Sequence, residues 1–161
     1  MVDLYTLRRT VSQGLKEYLG IPVIRGNQEK EAPAHPYAAY NVTTPATKNG
    51  GTYQQHEDGT DRKLVKSIMS LSFLAKDYDE SMMYASKARE WFDHSGRTWL
   101  SERGIIVQSV TDITNRDSIL SGEYERKNGF DVTFNVYDEV KSLTETNGTI
   151  KGAQIAHEIK Y

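Results

Sequence analysis

The sequence predicts an α+β domain: one mostly antiparallel β-sheet with two α-helices packed on one face, a long loop between strands, and an extended C-terminal tail or hairpin. Three observations carry this. Leu4, Leu7, Val11, Leu15 and Tyr18 recur at three- and four-residue spacing, and a second such stripe follows in residues 80–94. Phe130, Val132, Phe134 and Val136 alternate with Asp131, Thr133, Asn135 and Tyr137, the period of a half-buried strand. The strand-like stretches come in runs with the helices set apart, the order of hairpins rather than of parallel crossovers.

In chain order, Asp3 is placed to cap the first helix and Gly20 to end it. Val23 and Ile24 begin an extended piece and residues 37–44, rich in aromatic and β-branched side chains, form another, with Pro33 and Pro36 between them. Residues 45–61 contain Lys48-Asn49-Gly50-Gly51 and His56-Glu57-Asp58-Gly59 and little large apolar material beyond Tyr53. They read as one long loop, and loops beyond about 12–15 residues are usually functional or disordered. Residues 63–75 are the most regular strand, with Val65, Met69, Leu71, Phe73 and Ala75 on one face and Leu64, Ile68 and Leu74 on the other. Asp77-Tyr78-Asp79 turns the chain into the second helix, whose inward stripe is Met82, Ala85, Ala88 and Trp91 or Phe92. Strands follow at 105–110 and 129–137. The reading divides the chain into a domain of residues 1–140 and a polar arm of 141–161, in which Asn147-Gly148 suits a hairpin turn.

Composition narrows the function. The chain has 161 residues, 37% of them apolar, against a globular norm of roughly 45–50%. The core is thin for the length, so part of the surface is expected to be completed by something else. Twenty basic and 22 acidic residues give a net charge of −2, and the isoelectric point is about 6.1. No bulk charge draws the chain to nucleic acid or an anionic membrane. No apolar run approaches the roughly 20 residues of a membrane span, and the first residues lack the order of a signal peptide, so a cytoplasmic chain without membrane contact is expected. The absence of Cys removes disulfides, thiol nucleophiles and Cys-based zinc sites together, and the Asn-x-Thr triplets at Asn41 and Asn147 read as chance matches.

Chemistry is hard to find. His35, His56, His94 and His157 stand apart from one another, without a second ligand at metal spacing. Asp77 and Asp79 are better explained as turn and cap residues than as a catalytic pair. Asp58-Gly59-Thr60-Asp61 lacks the oxygen ladder and closing Glu of a calcium loop, and no phosphate-cradle or nucleophile-elbow motif is present. Trp91, Phe92 and Trp99 read as core, and Arg97 and Arg103 as a solvated helix end. The expectation is a protein without catalytic residues, metal or cofactor. A small hydrolase or ligand-binding domain built on Asp77, Asp79 and His94 is the remote alternative.

One stretch is more specific. It runs from Ala88-Arg89-Glu90-Trp91-Phe92 through Trp99-Leu100-Ser101-Glu102-Arg103-Gly104-Ile105-Ile106-Val107 and Ile113-Thr114-Asn115-Arg116-Asp117 to Glu123-Tyr124-Glu125-Arg126-Lys127-Asn128-Gly129-Phe130-Asp131-Val132-Thr133-Phe134. This arrangement resembles the neck or tail terminator proteins of tailed bacteriophages, loosely over residues 4–138 and closely over 82–138. The resemblance implies a structural virion protein at the head-proximal end of the tail, assembled in the host cytoplasm. It implies a ring, commonly of six copies, that stops growth of the tail tube, and of any sheath, and joins the tail to the head connector. It also implies a central channel through which DNA passes without specific binding. A head-side stopper or another neck completion protein is the nearby alternative. Under this reading a neighbouring copy completes a long sheet edge, Tyr124, Glu125 and Arg126 lie at a subunit boundary across which Arg126 pairs with a carboxylate, and Tyr53, His56, Glu57 and Asp58 face the lumen or a partner ring.

Overall fold

The computed structural model describes residues 1–27, 30–47, 51–120 and 123–143, with residues 120, 123 and 124 described through their backbone alone. Helix α1 (Leu4–Leu19) starts where the Asp3 carboxylate accepts the Thr6 amide at 2.9 Å, and it stops at Gly20, whose φ of 72° returns its N–H to the Lys16 carbonyl. The chain continues through β1 (Val23–Arg25), β2 (Tyr37–Thr44), β3 (Gln54–Gln55) and β4 (Thr60–Ala75). Two helices follow, α2 (Tyr78–Asp93) and α3 (Ser95–Ser101), then β5 (Ile106–Val110), β6 (Thr114–Asn115), β7 (Ser118–Leu120) and β8 (Glu123–Lys141).

One sheet in the order β1-β2-β4-β8-β5 forms the frame, with β3 added to β4 and β6 and β7 to β8. Only β1–β2 is parallel. The spine is the antiparallel pair β4–β8, in register from Thr60↔Lys141 to Ala75↔Arg126. Alternation along both strands sends Val65, Met69, Leu71 and Phe73, with Phe130, Val132, Phe134 and Val136, into one buried cluster. Leu7, Val11 and Leu15 of α1, Ala85, Ala88, Trp91 and Phe92 of α2 and Leu100 of α3 complete that cluster, so all three helices cover the same face. Phe92 stands edge-on to Phe130 and Phe134, ring centroids 6.0 Å from each. Each such burial is worth roughly 1.5–3 kcal/mol before packing terms. The other face of the sheet is covered at its Ala75 end, where Tyr37 and Leu74 are buried, and is more open and polar around Ser70, Ser72, Thr133 and Asn135.

The α+β architecture is the expected one, and its departures have local causes. A third helix exists because α2 breaks at His94 and folds back over Trp91; a Cβ on Gly96 would sit 2.2 Å from that ring, so only glycine lets α3 come so close. The 45–61 stretch is not all loop: Gln54 and Gln55 pair with Arg62 and Asp61, and a turn at His56–Gly59 closes this small hairpin. β8 starts at Glu123 rather than 129, since Arg126, Lys127 and Asn128 find β4 partners in Ala75, Leu74 and Phe73. On α2 the inward position near its start belongs to Ser81, with Met82 half-buried. The Ser81 hydroxyl donates to the Phe73 carbonyl at 2.7 Å and accepts from the Asn128 side-chain amide at 3.1 Å, tying α2, β4 and β8 inside the core. The arm expected over 141–161, including the Asn147-Gly148 turn, lies outside the described residues from 144 onward.

Candidate interface residues

The expected interface residues form two clusters at opposite ends of the spine. At the Ala75↔Arg126 end, β7 and β8 make a ribbon in which Ser118 faces Glu125 and Ile119 faces Tyr124. Glu125 is largely buried and serves as a hub: Lys127 Nζ lies 3.2 Å away and His35 Nε2 3.9 Å away. The Tyr37 hydroxyl bonds it too, and burial together with the Glu125 charge raises the Tyr37 pKa. Arg126 pairs with Asp117 of its own chain at 3.0 Å. Asp117 also accepts the Lys127 amide at 2.7 Å. Burial pushes the Asp117 carboxyl up, but the Lys127 amide and the Arg126 guanidinium more than offset this and hold it below its ordinary value. Both charged members of the cluster thus have partners within the chain.

The Thr60↔Lys141 end holds the second cluster. Asp58 accepts the Thr60 amide at 3.1 Å and hydroxyl at 2.6 Å and pairs with Arg62, which also reaches Glu139 at 2.9 Å. The Thr60 hydroxyl is the main reason the Asp58 carboxyl lies below its usual value. Glu57 is exposed at the turn, and the His56 carbonyl accepts the Gly59 amide at 3.3 Å. The Tyr53 hydroxyl donates to Asp138 at 3.0 Å beneath Lys63, whose Nζ is 4.7 Å from the ring centre. Asp138 also takes the Met1 amino group at 2.6 Å, and that bond is the largest cause of its lowered pKa. At about 3.3 Å per residue, β4, with its 16 residues, sets the two clusters roughly 50 Å apart. The structure does not bring them together.

Two features of the sheet were not legible beforehand. The first is Arg116, which lies flat on the open face: Nη1 donates to Ser70 Oγ at 2.8 Å, the Leu71 carbonyl at 3.2 Å and Ser72 Oγ at 3.3 Å, and Nη2 pairs with Asp131 at 3.1 Å. Gly129 makes room, since a Cβ there would stand 2.1 Å from the Leu71 carbonyl oxygen and 3.0 Å from Arg116 Nη1. A glycine inside a clean strand pattern was the available signal. The second corrects the expected long edge. β1 has only three residues, and β5 has five with a register break between Val107 and Ser109 and Arg97 donating to the Val107 carbonyl at 2.9 Å. Short, bulged and side-chain-capped edges resist strand addition.

The remote catalytic trio does not assemble. Asp77 caps α2, accepting the Glu80 amide at 2.8 Å, Asp79 is exposed in its first turn, and His94 lies at its other end, roughly 24 Å along the 16-residue helix. Among the described residues no three His, Asp or Glu side chains are placed to hold a metal, and no helix is long and apolar enough to cross a membrane.

Comparison with known proteins bears on this arrangement. No curated protein matches the chain. Solved structures also match the chain; one of them aligns with 83% of this chain and 92% of its own length, at 14% identity and a TM-score of 0.42. The profile of a family described as phage neck terminator protein matches residues 9–159, which includes the helix layer, both clusters and the sheet. The chain therefore belongs to the phage neck terminator family, a family of structural proteins of the phage tail and neck.

Proposed function

We propose that this chain is the subunit of a ring, six copies in number, that sits at the head-proximal end of the tail, ends growth of the tail tube and of any sheath, and joins the tail to the head connector. The family match across 9–159 carries this reading. The geometry supports it in two ways. Blunted sheet edges leave faces and strand ends for contact between copies. The two polar clusters, at opposite ends of a rigid β4–β8 spine, suit a subunit that meets one neighbour above and another below. On this reading Tyr124, Glu125 and Arg126 serve one end and Tyr53, His56, Glu57 and Asp58 the other, with DNA passing between without specific binding. Assembly takes place in the host cytoplasm, and the ring becomes part of the virion neck.

The test is the mass of the purified chain, alone and mixed with tail tubes. A closed ring in either condition, seen by light scattering and electron microscopy, is the expected result. A monomer that associates with neither tubes nor connector overturns the proposal. A head-side stopper is separated genetically: its loss leaves filled heads leaking DNA beside normal free tails.

A further inference from the structure

We infer that the open face of the β2–β4–β8 sheet lines the channel of the ring and is the surface past which duplex DNA moves. This rests on the ring reading above and adds to it the identity of the wall. The central part of that face carries Asn41, Ser70, Ser72, Thr133 and Asn135, all neutral, short and hydrogen-bonding, with half-buried Ile68 and Lys66 among them. Its charges are tied down side by side: Arg116 to Asp131 at 3.1 Å and Lys127 to Glu125 at 3.2 Å. Lys66 of this face has no carboxylate partner among the described residues.

That composition separates the face from the two ordinary fates of a surface. The solvent side of α2 carries exposed Asp79, Lys87, Glu90 and Asp93, the charge density of a common exterior. The core of a subunit contact would instead be rich in aromatic and apolar side chains and poor in Ser and charge. Apolar groups do occur on this face, but the exposed Leu64, Ile106 and Tyr137 gather toward one end of it, Tyr37 and Leu74 are buried at the other, and only half-buried Ile68 lies between. A wall for a moving polyanion needs bound water and no free row of cations, because each cation facing a phosphate releases counterions and holds the strand. The middle of the face meets both needs. Its hydroxyls and amides keep a hydration layer, and apart from Lys66 the charges of Arg116 and Lys127 are neutralised in place.

The chain has no cysteine, so single cysteines report cleanly. Thr133→Cys and Asn135→Cys probe the face, and Lys87→Cys probes the helix side. Each variant, assembled into rings of confirmed mass, is treated with N-ethylmaleimide or with a polyethylene glycol maleimide too bulky for a channel one duplex wide. The expected result is full labelling of Thr133→Cys and Asn135→Cys by the small reagent and loss of labelling by the bulky one, while Lys87→Cys takes both. Dissociated subunits should take both reagents at every site. Labelling of the face by the bulky reagent in rings overturns the inference, because the face then points outward. Protection from both reagents also overturns it, because the face is then buried between copies. Failure to form rings at all, with monomers that label everywhere, strikes the ring reading instead.

Discussion

Substitution of Gly129 by Ala tests how the sheet is held. The added Cβ would stand 2.1 Å from the Leu71 carbonyl oxygen, a backbone atom at the centre of β4 that no side-chain rotation can move away. It would also crowd Arg116 Nη1 at 3.0 Å, and so loosen a guanidinium that bonds Ser70, Leu71, Ser72 and Asp131. Against this, an alanine in a strand interior is favoured over glycine by roughly 0.5–1 kcal/mol through the unfolded chain. Overpacking costs about 1–3 kcal/mol, and the upper end applies because the nearer obstacle, the Leu71 carbonyl, is backbone. The net expectation is a loss of about 2 kcal/mol, roughly a thirtyfold shift toward the unfolded state. For a domain of this size it corresponds to a melting point lower by about 4–8 °C. Urea and thermal unfolding followed by circular dichroism measure both. Gly51→Ala is the control: nothing stands within 4 Å of its Cβ position, so its stability should change by less than about 0.5 kcal/mol. A Gly129→Ala chain as stable as the parent would refute the close approach of β4, β8 and Arg116.

Other expectations concern the core, the ribbon and the open face. Ser81→Ala leaves the Asn128 amide and the Phe73 carbonyl without their buried partner and should cost about 1–3 kcal/mol in urea unfolding, although alanine is the better helix former. Asp117 lies below its ordinary 3.8 in the folded chain. Its stabilisation is therefore complete above that value and lost as pH falls through the lower folded value. Asp117→Asn should lower stability at neutral pH and flatten the fall in melting temperature on acidification below pH 4, while an unchanged acid profile would dismiss the Arg126–Asp117 clamp. Thr133→Arg with Asn135→Arg should convert a face indifferent to duplex DNA into one that binds it, with affinity falling as salt rises by a log–log slope of about −0.9 per phosphate met. Retention measured in filter binding at low and high salt decides it.

How far the sequence announced this structure depends on how local the determinants are. Helix α1 was legible because its stripe, its Asp3 cap and its Gly20 stop all lie within the helix or beside it. The 129–137 alternation likewise fixed which side of β8 meets the core, and with it the opposite face of Asp131, Thr133 and Asn135. β3 was invisible because Gln54-Gln55 carries no apolar side chain; its strand state comes from pairing with Arg62 and Asp61. Helix α3 was hidden because its existence depends on Gly96 fitting against Trp91. At the candidate interface, Glu125 and Arg126 were legible as a charged cluster, but their partners were not. Glu125 meets His35 and Tyr37 from a distant part of the chain, and Arg126 meets Asp117 only once the ribbon has formed. Long-range pairing of charges leaves no periodic trace in a sequence, which is why the role of Arg116, bonded to Ser70, Leu71, Ser72 and Asp131, is not legible there.

The central claim is that this subunit ends tail growth, and tail length measures it most directly. Particles made without the chain, viewed by negative-stain electron microscopy, should carry tubes of irregular and excessive length that fail to join heads, with normal length restored when the chain is supplied. Tails of uniform normal length in its absence would contradict the account.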